Sequence, residues 1–368
     1  MNDARRISMF DGMRAQQPHL PAIRAAIDRV LDSGRYVLGA AVSGFEEQFA
    51  RWLGVGSAIG VANGSDALEL ALRAVGVGSG STVITVANAG GYSTIAIRAC
   101  GATPVYVDVD PSQLLMSVVA LEQSLRSTPT AVIVTHLYGR MASIEEIVDR
   151  CSRAGVPVIE DCAQAHGAEI DGRRAGSFGK IGCFSFYPTK NLGALGDGGA
   201  VVTSDPTLAA RLRALRQYGW SEKYLSTVAG GRNSRLDELQ AAILSAKLPH
   251  LDAENQRRCE IARRYEAGIR NAHVQIMEGR GAKDDVVHLY VIRSTRRAEL
   301  KSHLASLGID SDIHYPRADY AQPAWRDHGD IVLNETELAG AEVLSLPCHP
   351  TLSDQEVARV IDAVCCFV

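Results

Sequence analysis

From about residue 20 to 245, short apolar runs alternate with longer stretches of helical spacing, the pattern of a parallel sheet covered by helices on its faces. The runs 83–86, 104–107, 131–134 and 156–159 predict strands, and 66–75, 116–126 and 144–154 predict helices, the last stopped by Gly155. Phe184 and Phe186 alternate with Ser185 and Tyr187, as on a strand ending at Pro188, and a glycine-rich turn leads from there into apolar 199–203. Farther on, 236–248 reads as a helix and 251–272 as a long one leading into a smaller region. That region carries a strand over 286–292, a helix over 297–307 and a last helix from Ser353, its N-cap, to about 364. The expected architecture is α/β: an arm (1–20), a large domain with a mostly parallel wound sheet (21–248) and a smaller C-terminal α+β domain (249–368). At 368 residues the chain has enough length to bury two such cores.

Charge and composition narrow the partners. Net charge is −4, from 38 basic and 42 acidic residues, so no field favours nucleic acid. The pairs Arg257-Arg258, Arg263-Arg264 and Arg296-Arg297 read as solvated helix faces. The uncharged stretch 74–97 is interrupted by Gly76, Gly78, Gly80, Gly90 and Gly91, so it reads as core and loop rather than a membrane span. Eight dispersed cysteines without C-x-x-C spacing fit reduced cytoplasmic thiols and no metal site. No apolar signal core follows the first residues, so export is not expected.

The chain has six lysines, and one of them, Lys190, sits between two apolar strand-like runs. Most lysines are solvated loop residues, but desolvation there favours the neutral, nucleophilic amine. Asn63-Gly64-Ser65-Asp66 precedes an apolar helix, so Ser65 or Asp66 caps it, and its free N–H groups suit an anion unless the cap is only a cap. Asp161 ends the run 156–160, at the carboxyl edge where such sheets bind ligands. A buried aspartate there needs a partner: a protonated ring nitrogen, an arginine or a helix terminus. Phosphate site, pyridinium partner and imine-forming amine are what pyridoxal phosphate chemistry asks of a protein.

With these motifs in this order, the chain resembles the DegT/StrS family, the sugar aminotransferase branch of the aspartate aminotransferase fold (fold type I). The resemblance spans nearly the whole chain and is carried by Asn63-Gly64-Ser65-Asp66-Ala67-Leu68 and the runs 160–167, 184–199, 233–242 and 346–350. It implies that pyridoxal 5'-phosphate (PLP) forms a Schiff base with Lys190, that Asp161 pairs with its ring nitrogen and that Gln164 lies near its ring hydroxyl. Gly64, Ser65 and Ser185, with Asp66 in the same motif, would form the phosphate site. Asn233 would reach it from the neighbouring subunit of a homodimer with shared active sites. L-Glutamate would convert PLP to pyridoxamine 5'-phosphate, and a keto sugar nucleotide would take the amino group.

The segment 87–94 resembles members acting on 3-keto-6-deoxyhexoses, and its Tyr92 either stacks on cofactor or sugar or packs as a core tyrosine. The run 314–323 resembles the family's sugar-contacting loop, which makes His314, Tyr315, Asp319 and Tyr320 substrate candidates; Tyr320 stands where a histidine is usual. The resemblance therefore implies a dTDP-3-keto-6-deoxyhexose 3-aminotransferase. The alternatives are a 4-aminotransferase acting on a dTDP- or UDP-4-keto sugar and, from another class, a catalytically inactive PLP-binding regulator. The family's sugar dehydratases carry histidine in place of the lysine, and Lys190 argues against that branch.

Overall fold

The structure is a computed structural model that describes residues 6–328 and 331–368. Its main sheet contains β1 (Ser57–Val61), β2 (Thr82–Val86), β3 (Thr103–Val107), β4 (Ala131–Thr135), β5 (Val158–Asp161), β6 (Ile181–Ser185) and β7 (Gly199–Thr203). Their spatial order is β1-β7-β6-β5-β4-β2-β3. From β6 through β5, β4 and β2 to β3 all pairings are parallel, whereas β7 runs antiparallel between β6 and β1. Because helices cover both faces, the strands are apolar without a polar side. All five residues of β4 are buried. Ala131 and Ile133 join a core with Val83, Ile159 and Ile181, and Val132 and Val134 join another with Ile84, Val86 and Phe184.

The helices that matter for the site are α1 (Leu20–Ser33), α2 (Ala40–Leu53), α3 (Gly64–Ala74), α4 (Tyr92–Ala99), α5 (Glu238–Lys247), α6 (Leu251–Gly268) and α7 (Asp354–Cys365). On one face, α3 buries Ala67, Leu68, Leu70, Ala71 and Leu72. On the other, α2 lays down Phe45 and Phe49, and the Phe49 ring meets Phe184 and Phe186 edge-on at 5.1 and 5.4 Å while lying nearly parallel to Phe45 and Trp52. This aromatic floor supports the end of β6, one strand from Asp161.

Beyond α5 a short 3₁₀ turn, Leu248–His250, leads into α6. Here β8 (Gln275–Ile276), β9 (Tyr290–Arg293) and β10 (Val343–Leu346) form an antiparallel sheet. With α6 and α7 they enclose a third core containing Ile261, Tyr265, Tyr290, Ile292, Leu344 and Val360. Ile7 is part of that core and bridges to Ile309, so the start of the chain is tied to its last third. Ser353 caps α7 in a reciprocal capping box with Glu356.

Two expected elements are shorter than their sequence patterns. The strand predicted over 286–292 begins only at Tyr290. Ahead of it, the Val286 and Leu289 N–H groups donate to the carbonyls of Gly139 and Tyr138, and Val287 has a φ of 46°. The segment is therefore held as a loop across 138–139 rather than in a sheet. The helix predicted to 272 ends at Gly268, where a Cβ would come within 2.9 Å of Ile361. The buried position and aromatic contacts of Phe49 predict that Phe49→Ala lowers unfolding free energy in a urea titration by about 3–5 kcal/mol.

Candidate active site

Strand register gathers the site. Thr135 pairs with Asp161, Asp161 with Cys183 and Ser185 with Gly199, so the carboxyl ends of β4, β5 and β6 meet side by side. The start of α3 closes in from above: a Cβ on Gly64 would lie 2.7 Å from the Ser185 Cβ, so only glycine permits that approach. Asn63 caps α3 through its side chain, which accepts from the Asp66 N–H at 2.8 Å. Ser65 and Asp66, the residues expected to cap, instead lie in the first turn. The early N–H groups of a helix have no intrahelical acceptor, so those of Gly64 and Ser65 remain available to an anion.

These ends open into a cleft of about 890 Å³, large enough for a cofactor and a substrate. Gly64, Ser65, Asp66, Tyr92, Asp161, Gln164, Ser185, Lys190, His314 and Tyr315 all line it. Asn233, Asp319 and Tyr320 do not. Asn233 is exposed elsewhere on the surface. Asp319 is buried and accepts from the Thr94 hydroxyl at 2.6 Å, and the Tyr320 hydroxyl donates to Glu337 at 2.9 Å. This pairing locks the 314–325 loop onto α4, leaving its first two residues in the cleft.

Asp161 is buried at the cleft floor, and burial pushes its pKa up, opposed by the Ala163 N–H at 3.1 Å, the field of Lys190 and the Thr135 hydroxyl at 3.4 Å. Lys190 is partly buried on the wall. Desolvation pulls its amine down to about 8, with Asp161 acting the other way. Gln164 is fixed from both ends: its carbonyl accepts from the Tyr138 N–H at 2.7 Å and its amide donates to the Tyr315 hydroxyl at 3.2 Å. His136, Glu160 and Cys162 cluster behind the floor. There Glu160 accepts from His136 and from the N–H groups of Gly176, Phe178 and Gly179, so its oxygens are fully engaged within the protein.

The loop that carries Lys190 is pinned at several points. The Lys190 N–H donates to the Tyr187 carbonyl, the Ala194 N–H to the Phe186 carbonyl, and the buried Lys247 amine to the Gly193 carbonyl. Asn191 donates to Asn255 at 2.8 Å and to the Val286 carbonyl at 3.2 Å. With both amide hydrogens used, its carbonyl accepts from His288 Nδ1 at 2.9 Å.

Residues from the second half of the chain complete the cleft: Arg258, His288, Cys348 and His349, with Met9 and Phe10 from the start. The expectation that Arg258 belongs to a solvated face does not hold, for its side chain is buried. A signal was present: Leu251, Asn255, Arg258, Ala262 and Tyr265 recur at helical spacing, and all five are buried on α6.

Residues 20–365 match the model of the DegT/DnrJ/EryC1/StrS aminotransferase family. The chain belongs to that family. It is 46% identical to the dTDP-3-amino-3,6-dideoxy-alpha-D-galactopyranose transaminase of Aneurinibacillus thermoaerophilus, over 97% of this chain and 98% of the relative. It is 42% identical to the dTDP-3-amino-3,4,6-trideoxy-alpha-D-glucose transaminase of Streptomyces venezuelae, over 98% and 95%. The crystal structure of S. venezuelae DesV with a ketimine intermediate superposes with a TM-score of 0.94 at 42% identity, covering 98% of both chains. The protein is thus a fold type I aminotransferase that uses pyridoxal phosphate, cycling with pyridoxamine phosphate.

The cleft fits that cofactor. The Gly64–Ser185 approach leaves a cradle of N–H and hydroxyl donors for a phosphate, and among the described residues buried Asp161 has no lysine or arginine within ion-pair distance, a place that a protonated ring nitrogen would fill. With Lys190 as the amine that would capture PLP, its lowered pKa predicts how the cofactor-free protein takes the cofactor up. Because only the neutral amine reacts, the capture rate rises about tenfold per pH unit below 8 and levels off above it, read as growth of the visible band between pH 6 and 9.5.

Proposed function

We propose that this aminotransferase takes the amino group of L-glutamate and delivers it to C3 of a dTDP-3-keto-6-deoxyhexose. The observation that carries this reading is the near end-to-end similarity to two transaminases named for dTDP-3-amino sugars. Lys190, Asp161, Gln164 and Ser185 lining one cleft support a working enzyme rather than a binding protein.

Bound pyridoxal phosphate supplies the electron sink and carries the amino group between the two substrates. Asp161, in a buried setting, keeps the ring nitrogen protonated and so keeps that sink effective. The N–H groups of Gly64 and Ser65 and the Ser65 and Ser185 hydroxyls hold the phosphate at the α3 terminus. Gln164, immobilised between Tyr138 and Tyr315, would stand beside the ring. Lys190 would hold the cofactor through its amine, and the same amine, with its pKa lowered by burial, would be placed to accept a proton from the donor α-carbon and hand it on. Tyr92, His314 and Tyr315 flank the open side, where the sugar enters.

A homodimer in the cytoplasm completes the reading. Tyr36, Val37, Tyr187, Leu195 and Tyr218 stand exposed, which favours a partner that covers them, and exposed Asn233 is free to reach a neighbouring site. All eight cysteines are unpaired, as in a reducing compartment. Among the described residues no helix is long and apolar enough to cross a membrane.

L-Glutamate should bleach the visible cofactor band of the purified protein, and after removal of donor the 3-keto dTDP-sugar should restore it. Restoration by the 4-keto isomer alone would overturn the regiochemistry. Lys190→Ala should reduce turnover by at least about three orders of magnitude, as expected for loss of a group that is both nucleophile and proton carrier.

A further inference from the structure

The loop that brings His314 and Tyr315 into the cleft is held at both ends. At its start, His314 Nδ1 lies 2.8 Å from the Ser345 hydroxyl, and the His314 carbonyl accepts from the Tyr138 hydroxyl at 2.6 Å. Farther on, the Asp319 N–H donates to the Ala87 carbonyl at 2.8 Å, just past β2, and the Asp319 carboxyl accepts from Thr94 in the first turn of α4. Thr94 is fully buried, and its hydroxyl also meets the Tyr106 hydroxyl on β3 at 3.0 Å, so one hydroxyl joins loop, helix and sheet. The same turn of α4 opens with exposed Tyr92, whose ring stands edge-on to Tyr315 with 6.2 Å between centroids. Ahead of it Gly90 and Gly91 both adopt positive φ, and a Cβ on Gly90 would come within 2.9 Å of the Tyr315 ring. The glycine turn and the Asp319–Thr94 bond thus fix the two rings relative to one another.

Asp319 is 1% exposed, and its Oδ1 has no hydrogen-bond partner. Around it stand Tyr106 on β3, Tyr320 next along the loop, Glu337 bonded to the Tyr320 hydroxyl and Arg98 one turn beyond Thr94 on α4. Among the described residues no lysine or arginine lies within ion-pair distance of the carboxyl. Desolvation without a counter-charge favours the neutral acid. Burial accordingly raises the Asp319 pKa to about 7, with the Thr94 hydroxyl and the Gly91 N–H acting the other way. An open, solvated aspartate titrates near about 3.9. Closing this contact between there and about 7 therefore takes up a proton, so the closed form loses ground as pH rises through that window and is level above it.

We propose that Asp319 is a positioning residue for the keto-sugar half of the reaction: through Thr94 it latches the loop of Tyr315 to the helix of Tyr92 and so sets the gap through which the sugar enters. The proposal rests on the reading of a sugar acceptor given above. Asp319 lies outside the cleft lining, so it acts through the rings it fixes and touches no substrate. Gln164 keeps its bond to the Tyr138 N–H when the latch opens, and Lys190 and Asp161 are held by other contacts, so the donor half changes less.

The test uses holoenzyme and the variants Thr94→Val, Thr94→Ser and Asp319→Asn, each first shown to hold cofactor by its visible band. In Thr94→Val, amide hydrogen exchange over residues 314–321 should quicken at least about tenfold, and the keto-sugar concentration that half-restores the band of the pyridoxamine form should rise about 30-fold. The glutamate concentration for half-bleaching should change less than about threefold. Thr94→Ser returns the hydroxyl and should bring exchange and sugar concentration back to within about threefold of wild type. Because the hydroxyl favours the ionised carboxyl, Thr94→Val should cost several-fold more at pH 8 than at pH 6, each against wild type at the same pH. In the Asp319→Asn background, where that group cannot ionise, the same substitution should cost equally at both. Unchanged exchange in Thr94→Val overturns the latch. Quickened exchange with unchanged sugar concentration overturns the positioning role, and so does an equal loss in the glutamate step. If keto sugar fails to restore the wild-type band, the acceptor reading fails, and hydrogen exchange still decides whether Thr94 and Asp319 hold the loop.

Discussion

The placement of Lys190 depends on the amide of Asn191, its neighbour. A buried amide has two hydrogens and one carbonyl to satisfy, and leaving any unpaired costs about 1–3 kcal/mol. Asn191 meets that demand with three parts of the chain: Asn255 on α6, the Val286 carbonyl and His288. Asn255 passes the connection on by donating to the His166 carbonyl at 2.7 Å, just past the β5 end that carries Asp161. One network thus ties the large sheet, the lysine loop and the C-terminal half, and a shift in any of them moves the amine relative to the carboxylate.

A long, flexible lysine side chain loses about 2 kcal/mol of rotamer freedom when fixed, so its backbone has to be rigid before the side chain can be placed. The loop achieves this with short local closures and one buried cation. Gly193 sits so close to Pro188 that a Cβ there would lie 2.5 Å from the proline carbonyl, and the Lys247 amine caps the Gly193 carbonyl from α5. Lys247 is itself pulled down to about 8 by burial, the same direction as Lys190. Two lysines in similar desolvation therefore have opposite tasks: one is used up in a structural hydrogen bond, and the other faces the cleft.

Much of this was legible because parallel sheets and ligand sites have strong local signatures. The apolar runs of β2, β3 and β4, the glycine that admits α3 to Ser185 and the aspartate ending β5 each follow from local chemistry, and their order made the family recognisable. What could not be read was tertiary pairing. The loop at 286–289 looks like a strand because its residues are apolar, yet its N–H groups go to Tyr138 and Gly139. Asp319 looks like a cleft residue from its neighbours, yet it is buried against Thr94, and its pKa rises to about 7. Charge alone placed Arg258 in solvent; only its position on the buried stripe of α6 pointed inward.

That last misreading shows how the cleft divides its charges. On the proposed reading the phosphate cradle would need no lysine or arginine of its own, because helix N–H groups and hydroxyls would serve there, and the ring nitrogen would have Asp161. A protein with this many arginines could have paired Arg258 with a carboxylate, as it pairs Arg280 with Asp285 in full burial. Arg280 shows the arrangement that stability favours: a buried guanidinium with a resident anion and two backbone carbonyls. Each guanidinium leaves one buried nitrogen without a partner, Nε in Arg258 and Nη1 in Arg280, but among the described residues only Arg280 has a carboxylate within ion-pair distance, so the desolvation of Arg258 is less fully offset.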